Sequence, residues 1–419
     1  MADGLITRDP VAAAGPQSLR SRSATVLGRL RASPWWLRVL AIFVASRLVS
    51  TAFLLIFAAM EPTTSWTVQH PDYGSFARIW DGQWYYVIAT LGYPKTLPLV
   101  DVGGALHVGQ NAWAFLPVYP YLVKGFMLLT GAAFPAAGVF VSVVAAAGAA
   151  LVFHRLVSRF LPAGSALFAV ALFCFAPLSP LMQVTYAESL FLLLVAASLL
   201  FLLQRRYWLM LATAAVASFT RPGMVALALV LVLHWAFRWW NRRTDPFPGR
   251  DRVVVIVVAV VTGVLGLAWP VVAWIATGDR SAYTETELAW RADYIGYGKL
   301  VPFTSWVQGA DWWFPGGSGV VFLAVAVVLF ALFLLSPWVR RLPVDLRLWS
   351  VAYALYLLAV FFPQSSTFRV LMPLFPLLGA LAVPRSKVFR VALLVLCVVG
   401  QWVWIYYCWW VNGADWTPP

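Results

Sequence analysis

The side chains best suited to chemistry concentrate in residues 76–94. They read Phe76-Ala77-Arg78-Ile79-Trp80-Asp81-Gly82-Gln83-Trp84-Tyr85-Tyr86-Val87-Ile88-Ala89, then Leu91-Gly92-Tyr93-Pro94 after Thr90. One carboxylate, Asp81, stands among aromatic rings, and helical spacing puts Asp81, Trp84 and Tyr85 on one face. Partial desolvation raises a carboxyl pKa. That suits a general base taking a proton from a hydroxyl, although the position equally suits a helix N-cap. A second carboxylate, Glu188 in Tyr186-Ala187-Glu188-Ser189, opens an apolar run. It can orient a sugar, hold an arginine, or meet the positive end of a helix dipole. Arg221 lies in Thr220-Arg221-Pro222-Gly223, and Arg369 follows Pro363-Gln364-Ser365-Ser366-Thr367-Phe368. A guanidinium is permanently charged and matches a phosphate bidentately. Both arginines are therefore candidate phosphate anchors, with pairing to Glu188, Asp72 or Asp293 as the alternative. Arg291, with Asp293 and Lys299, is a candidate lid or lipid-headgroup contact in a loop that otherwise reads as solvated charge.

The motifs that are missing narrow the chemistry. The sequence has no P-loop, no GxGxxG after a strand, no HExxH, no CxxC and no DxD, and its four histidines show no ligand spacing. A tightly bound catalytic metal and a nucleotide-borne donor are not expected, and no cofactor is implied. An activated donor would instead be lipid-borne and reached from the membrane.

These residues must be positioned by a membrane protein. Of the 419 residues, 62% are hydrophobic and 11% charged, with a mean hydropathy of +0.80. An ordinary soluble domain has roughly 25% charged residues, so this chain lacks the polar groups to cover a soluble fold. Disorder needs low hydrophobicity, and three cysteines do not make a disulfide scaffold. What is left is an all-α polytopic membrane protein, a class in which the bilayer is itself a partner. The +14 net charge comes in short arginine clusters between apolar runs, the positive-inside pattern, and not in a nucleic-acid-binding surface.

Eleven spans are expected, at 37–60, 136–156, 164–181, 186–203, 207–220, 222–240, 253–276, 319–337, 345–362, 367–383 and 389–410. Residues 1–36 read as a cytoplasmic tail and 411–419 as a short extracytoplasmic one. Loops 61–135 and 277–318 lie on the outer face, where loop chemistry is expected. The apolar stretch 113–130 must lie in the interface and not span, because a span there would reverse the arginine bias of every later loop. The expected location is the plasma membrane (a bacterial inner membrane), N-terminus inside and active site and C-terminus outside. Arg47 is the one charged residue well inside a span.

Several segments together resemble the PIG-V-type mannosyltransferases, a GT-C family. Trp80-Asp81 with Ile88-Ala89 and Leu91-Gly92-Tyr93 resembles its WD…IA…GY signature. Phe115-Leu116-Pro117-Val118-Tyr119-Pro120 resembles its FxPxYP, and Tyr186-Ala187-Glu188-Ser189-Leu190-Phe191 its YxESLF. Phe219-Thr220-Arg221-Pro222 and Gln364 with Phe368-Arg369 resemble two later motifs, and the order is kept across roughly 37–385. The resemblance implies a GT-C fold with interface helices in the first outer loop, and Asp81 as catalytic base. It implies a donor of mannose linked to a polyprenyl or dolichyl phosphate, with neither nucleotide sugar nor metal. The candidate binding set is Arg78, Trp80, Gln83, Trp84, Tyr85, Tyr119, Tyr186, Glu188, Arg221, Arg291, Gln364 and Arg369. Richness in Ala, Val, Leu, Trp and Arg points to a GC-rich, actinobacterial-type source, so the acceptor would be an envelope glycolipid, glycan or exported protein. The other readings are a transporter or flippase of a lipid-linked saccharide, and a non-catalytic partner of a glycosyltransferase. Sparse midplane charge favours the enzyme over the transporter.

Overall fold

The computed structural model describes residues 33–299 and 301–411, so most of both expected tails lies outside the described residues. The protein is a helical bundle. Its longer helices are α1 (Trp35–Met60), α2 (Asp81–Leu91), α3 (Val118–Thr130), α4 (Phe134–Val157), α5 (Ala163–Phe175), α6 (Glu188–Leu203), α7 (Tyr207–Ser218), α8 (Val225–Trp240), α9 (Gly249–Gly266), α10 (Ala268–Thr277), α11 (Ala282–Ala289), α12 (Ser318–Leu335), α13 (Val344–Val360) and α14 (Lys387–Trp404). Helices α1, α4, α12 and Lys387–Trp409 are each long and apolar enough to cross a membrane, and α9 with α10 forms a fifth candidate bent by 42°. In α12 Val321, Phe322, Leu329 and Leu335 are all exposed. A water-soluble protein does not display such a surface, and a lipid-facing helix must. The chain is an integral membrane protein.

Where the expected spans differ from the observed helices, proline is the usual reason. Helix α5 stops at Phe175, ahead of Pro177, and the chain continues as a 3-10 turn, Ser179–Gln183. Pro270 cannot donate to the carbonyl of Gly266, and there the seventh expected span breaks into α9 and α10. The tenth, 367–383, is divided by Pro373 and Pro376 into Thr367–Val370, Met372–Leu377 and Leu378–Leu381. The one strand pairing among the described residues is a hairpin, Leu99–Val102 with Ala105–Val108. Gly103 and Gly104 both have positive φ at its tip, as a tight hairpin turn requires. Helix α3, in the 113–130 stretch, has 13 residues, about 20 Å at 1.5 Å per residue, short of a ~30 Å hydrocarbon core.

The main core lies where α4, α6, α7, α8 and α13 converge, with Phe153, Phe173, Phe191 and Trp349 buried in it. Arg47 is neutralised locally. Its guanidinium donates to the carbonyls of Ser179 at 2.6 Å and Cys174 at 2.8 Å, two acceptors left free where α5 ends. This arginine therefore fastens α1 to the end of α5 and to the 3-10 turn that follows it.

Two further observations fix the segment before α2. Trp80 has φ +59° and ψ −126°, a conformation that costs a bulky residue energy and survives only when packing imposes it. Here the indole is buried, donates to the carbonyl of Trp409 at 3.0 Å, and packs on Trp66. Trp409 in turn donates to the carbonyl of Phe76 at 3.2 Å. It lies in the π-helical turn Ile405–Trp409 that extends α14.

Candidate functional site

Asp81 is the first residue of α2, and Glu188 is the first residue of α6. Both carboxylates thus sit at positive helix ends. The strained turn at Trp80 aims Asp81 inward, and the Asp81 backbone N–H donates to the Tyr186 hydroxyl at 3.1 Å. The carboxylate pairs with the Arg369 guanidinium, which also approaches Glu188, with Nε 3.4 Å from Oε1. Glu188 pairs in turn with Arg221. Arg369 lies over the Tyr186 ring at 5.4 Å, a cation–π contact. Four charges from four segments of the chain therefore form one buried chain: Asp81, Arg369, Glu188, Arg221.

Small residues make this approach possible. A Cβ on Gly82 would lie 2.5 Å from Thr185 Oγ1, an atom held by the Ala77 carbonyl at 3.1 Å. A Cβ on Gly138 would lie 2.8 Å from Thr185 Cγ2. Helix α2 docks against residue 185 because position 82 has no side chain. Gly82→Ala is expected to destabilise the protein by about 1–3 kcal/mol through overpacking. Thr185→Ala in the same chain should recover part of that loss. Thermal unfolding of the two variants and the double variant reads the coupling; strictly additive effects would sink this account.

Burial pushes the Asp81 carboxyl above its ordinary range, and the negative charge of Glu188 adds to the push against the pull of Arg369. Burial likewise raises the Tyr85 hydroxyl. Tyr85 packs edge-on against Phe115, Tyr119 and Tyr186. Trp84 stacks on Phe115 and meets Trp290 edge-on at 5.7 Å, forming an aromatic wall beside Asp81. The crevice lined by Glu188, Arg221, Tyr353, Arg369 and Met372 holds about 10 Å³, room for about one water. A phosphate reaching Arg369 must compete with Asp81 for it.

The structure brings Asp81, Tyr85, Tyr186, Glu188, Arg221 and Arg369 together, with Trp84 on the rim. Arg221 takes the alternative considered for it, pairing with Glu188, whereas Arg369 pairs with Asp81, a partner not considered, and also approaches Glu188. The other candidates lie elsewhere or are otherwise engaged. The Tyr119 hydroxyl bonds Ser142 Oγ and the Gly138 carbonyl, both at 3.0 Å, so it ties α3 to α4. Arg78 covers the Tyr86 ring at 4.9 Å. Gln83 is half-buried on α2, and Gln364 bonds Ser366 at 3.3 Å. Trp80 is wholly packed in the turn that it strains. Arg291 donates to the Val360 carbonyl at 3.0 Å and stands 3.9 Å from Glu287. Sequence reading passed over Glu287, whose carboxyl burial raises, against Arg291 and Tyr283. Its signal was the i,i+4 spacing to Arg291. Among the described residues no group of three metal-ligating side chains converges.

No family model matches the chain, and no curated protein matches it in sequence. Among solved structures, ArnT from Cupriavidus metallidurans bound to undecaprenyl phosphate superposes with a TM-score of 0.48 at 14% identity, over 85% of this chain and 62% of that one. Apo ArnT from the same organism gives 0.39 at 14% identity, over 87% and 59%. The match thus spans less than two thirds of ArnT's length.

Proposed function

We propose that the chain is a GT-C-type inverting glycosyltransferase. It moves mannose from a polyprenyl-phosphate-mannose donor to a hydroxyl of an envelope glycolipid, glycan or protein on the outer face of the membrane. The observation that carries this reading is the buried Asp81–Arg369–Glu188–Arg221 chain at the ends of α2 and α6. It holds a carboxyl raised by burial beside two guanidiniums, the pairing that base-assisted displacement of a phosphate requires.

The acceptor hydroxyl gives its proton to Asp81 as its oxygen bonds to the anomeric carbon. The bond from that carbon to the phosphate oxygen breaks, and the electron pair leaves with the polyprenyl phosphate. Arg369 and Arg221 stabilise the charge gathering there, the largest kind of catalytic contribution in a dry site. Trp84, half-buried on the rim, provides a face on which a sugar ring can rest.

The purified protein in nanodiscs should release polyprenyl phosphate and form a labelled mannoside in equal amounts when offered polyprenyl-phosphate-mannose and a panel of envelope acceptors. Release from a glucose or arabinose donor instead would keep the reaction class and change the sugar. Transbilayer movement of an intact donor, with no release from any of the three, would establish the flippase reading in its place.

A further inference from the structure

A second cavity, of about 170 Å³, lies between α1, α4 and the start of α5, lined by Trp35, Arg38, His154, Ser158, Leu161, Ala163 and Leu167. It is remote from Asp81. Gly138 of α4 packs on Thr185 beside the charged cluster, and His154 lies about 24 Å further along the same helix.

Its chemistry is that of an anion site. Arg38 lines it with its buried Nε lacking a hydrogen-bond partner among the described residues. His154, 9% exposed, stacks on Trp35 at 5.2 Å and 5°. The Arg155 guanidinium lies 4.9 Å over the other ring system of that stack, Trp35. Helix α5 points its N-terminus at the cavity with no side-chain cap, leaving backbone N–H groups free. Above all, the counter-charge is missing. Residues 33–60, 134–187 and 378–404 contain no Asp or Glu at all, and neither Arg38 nor Arg155 enters an ion pair among the described residues. A half-buried guanidinium, Arg38, lining an open cavity, with the exposed Arg155 beside it over Trp35, on helices without one carboxylate, calls for an anion from outside the chain.

We infer that this cavity binds a phosphate group, with Arg38 as its lining cation, Arg155 adding charge from its rim over Trp35, and the start of α5 as its donor of backbone hydrogen bonds. Its place between membrane-spanning helices suits the headgroup of an anionic phospholipid, and the same chemistry accepts a free phosphate. The inference does not depend on the glycosyltransferase reading.

The test uses the full chain in nanodiscs containing phosphatidylglycerol diluted in phosphatidylcholine, with bound lipid counted by native mass spectrometry. Thermal stability in detergent is followed alongside, with added inorganic phosphate. Arg38→Gln/Arg155→Gln should bind phosphatidylglycerol at least tenfold more weakly than the native chain. Leu167→Trp keeps both charges and fills the cavity, and it should lose the lipid too, which keeps the test open if the arginine variant fails to fold. Arg340→Gln/Arg341→Gln, at exposed arginines elsewhere, should bind as the native chain does. Stabilisation by millimolar phosphate, lost in the same two cavity variants while phosphatidylglycerol shows no preference, would assign the site to free phosphate. Equal retention of phosphatidylglycerol and equal phosphate response in all four proteins would overturn the site.

Discussion

Asp81→Asn is expected to lower kcat for sugar transfer about a thousandfold while leaving donor affinity within a few-fold. The two side chains are the same size, so the packing against Tyr186 is kept. What is lost is the oxygen charge that accepts the acceptor's proton, and a positioned base contributes roughly 10²–10⁴ in rate. Arg369 still has Glu188 within 3.4 Å, so removing the Asp81 charge does not strand a buried cation, which would otherwise cost about 3–5 kcal/mol. The variant should therefore fold, elute normally from size exclusion, and bind donor. Single-turnover kinetics with labelled donor measure the chemical step directly. Native kcat in a folded Asp81→Asn protein would remove Asp81 as the base and turn attention to Glu188, the next carboxylate along.

Arg369→Lys carries the second large effect. The substitution keeps the charge, so electrostatics alone would make it mild. The geometry argues otherwise, because Arg369 spans two carboxylates and covers an aromatic ring at once. A planar five-donor fork can do this and a single ammonium cannot. Loss of one preorganised donor to a developing oxyanion costs about 10²–10³ in kcat, and kcat/KM for Arg369→Lys should fall by at least that factor. Arg221→Lys should be milder, since among the described residues Arg221 pairs with Glu188 alone. Steady-state kinetics on the two variants decide it. Equal, less than fivefold losses would mean that only net charge matters at this site.

Much of the candidate site was legible because charge is so rare in this chain. Asp81, Glu188, Arg221 and Arg369 each interrupt or abut an apolar run, and a charge in that setting needs a partner. The sequence could not show that they would choose one another, since their pairing joins positions hundreds of residues apart. Tyr119 misled for the complementary reason. An aromatic hydroxyl near the right motif looks like a sugar ligand until packing shows it bonded to Gly138 and Ser142. Glu287 escaped because it lies in a loop already rich in charge, where its i,i+4 spacing to Arg291 does not stand out. At the level of the fold, the apolar runs marked the helices well. Their interruptions followed Pro177, Pro270, Pro373 and Pro376, which hydropathy averages over. The hairpin at 99–108 was missed in a loop for which no strand was expected, although its Gly103-Gly104 tip was visible.

The tryptophan pair that fixes the Asp81 turn has a consequence for biogenesis. Trp80 is held by Trp409, 329 residues later, and Trp409 holds Phe76; the cation facing Asp81 comes from position 369. A chain emerging into the membrane makes its early helices long before these partners exist, and closing loops of that length is the slowest part of assembly. The strained Trp80 backbone has nothing to impose it until the last described helix is in place. Asp81 therefore acquires its geometry at the end of synthesis, not during it. A chain stalled after α13, at Val360, would insert most of its helices and still present Asp81 at a relaxed turn without its guanidinium. On the proposed function, half-made copies would be catalytically silent, so that topological completion and competence for transfer become a single event.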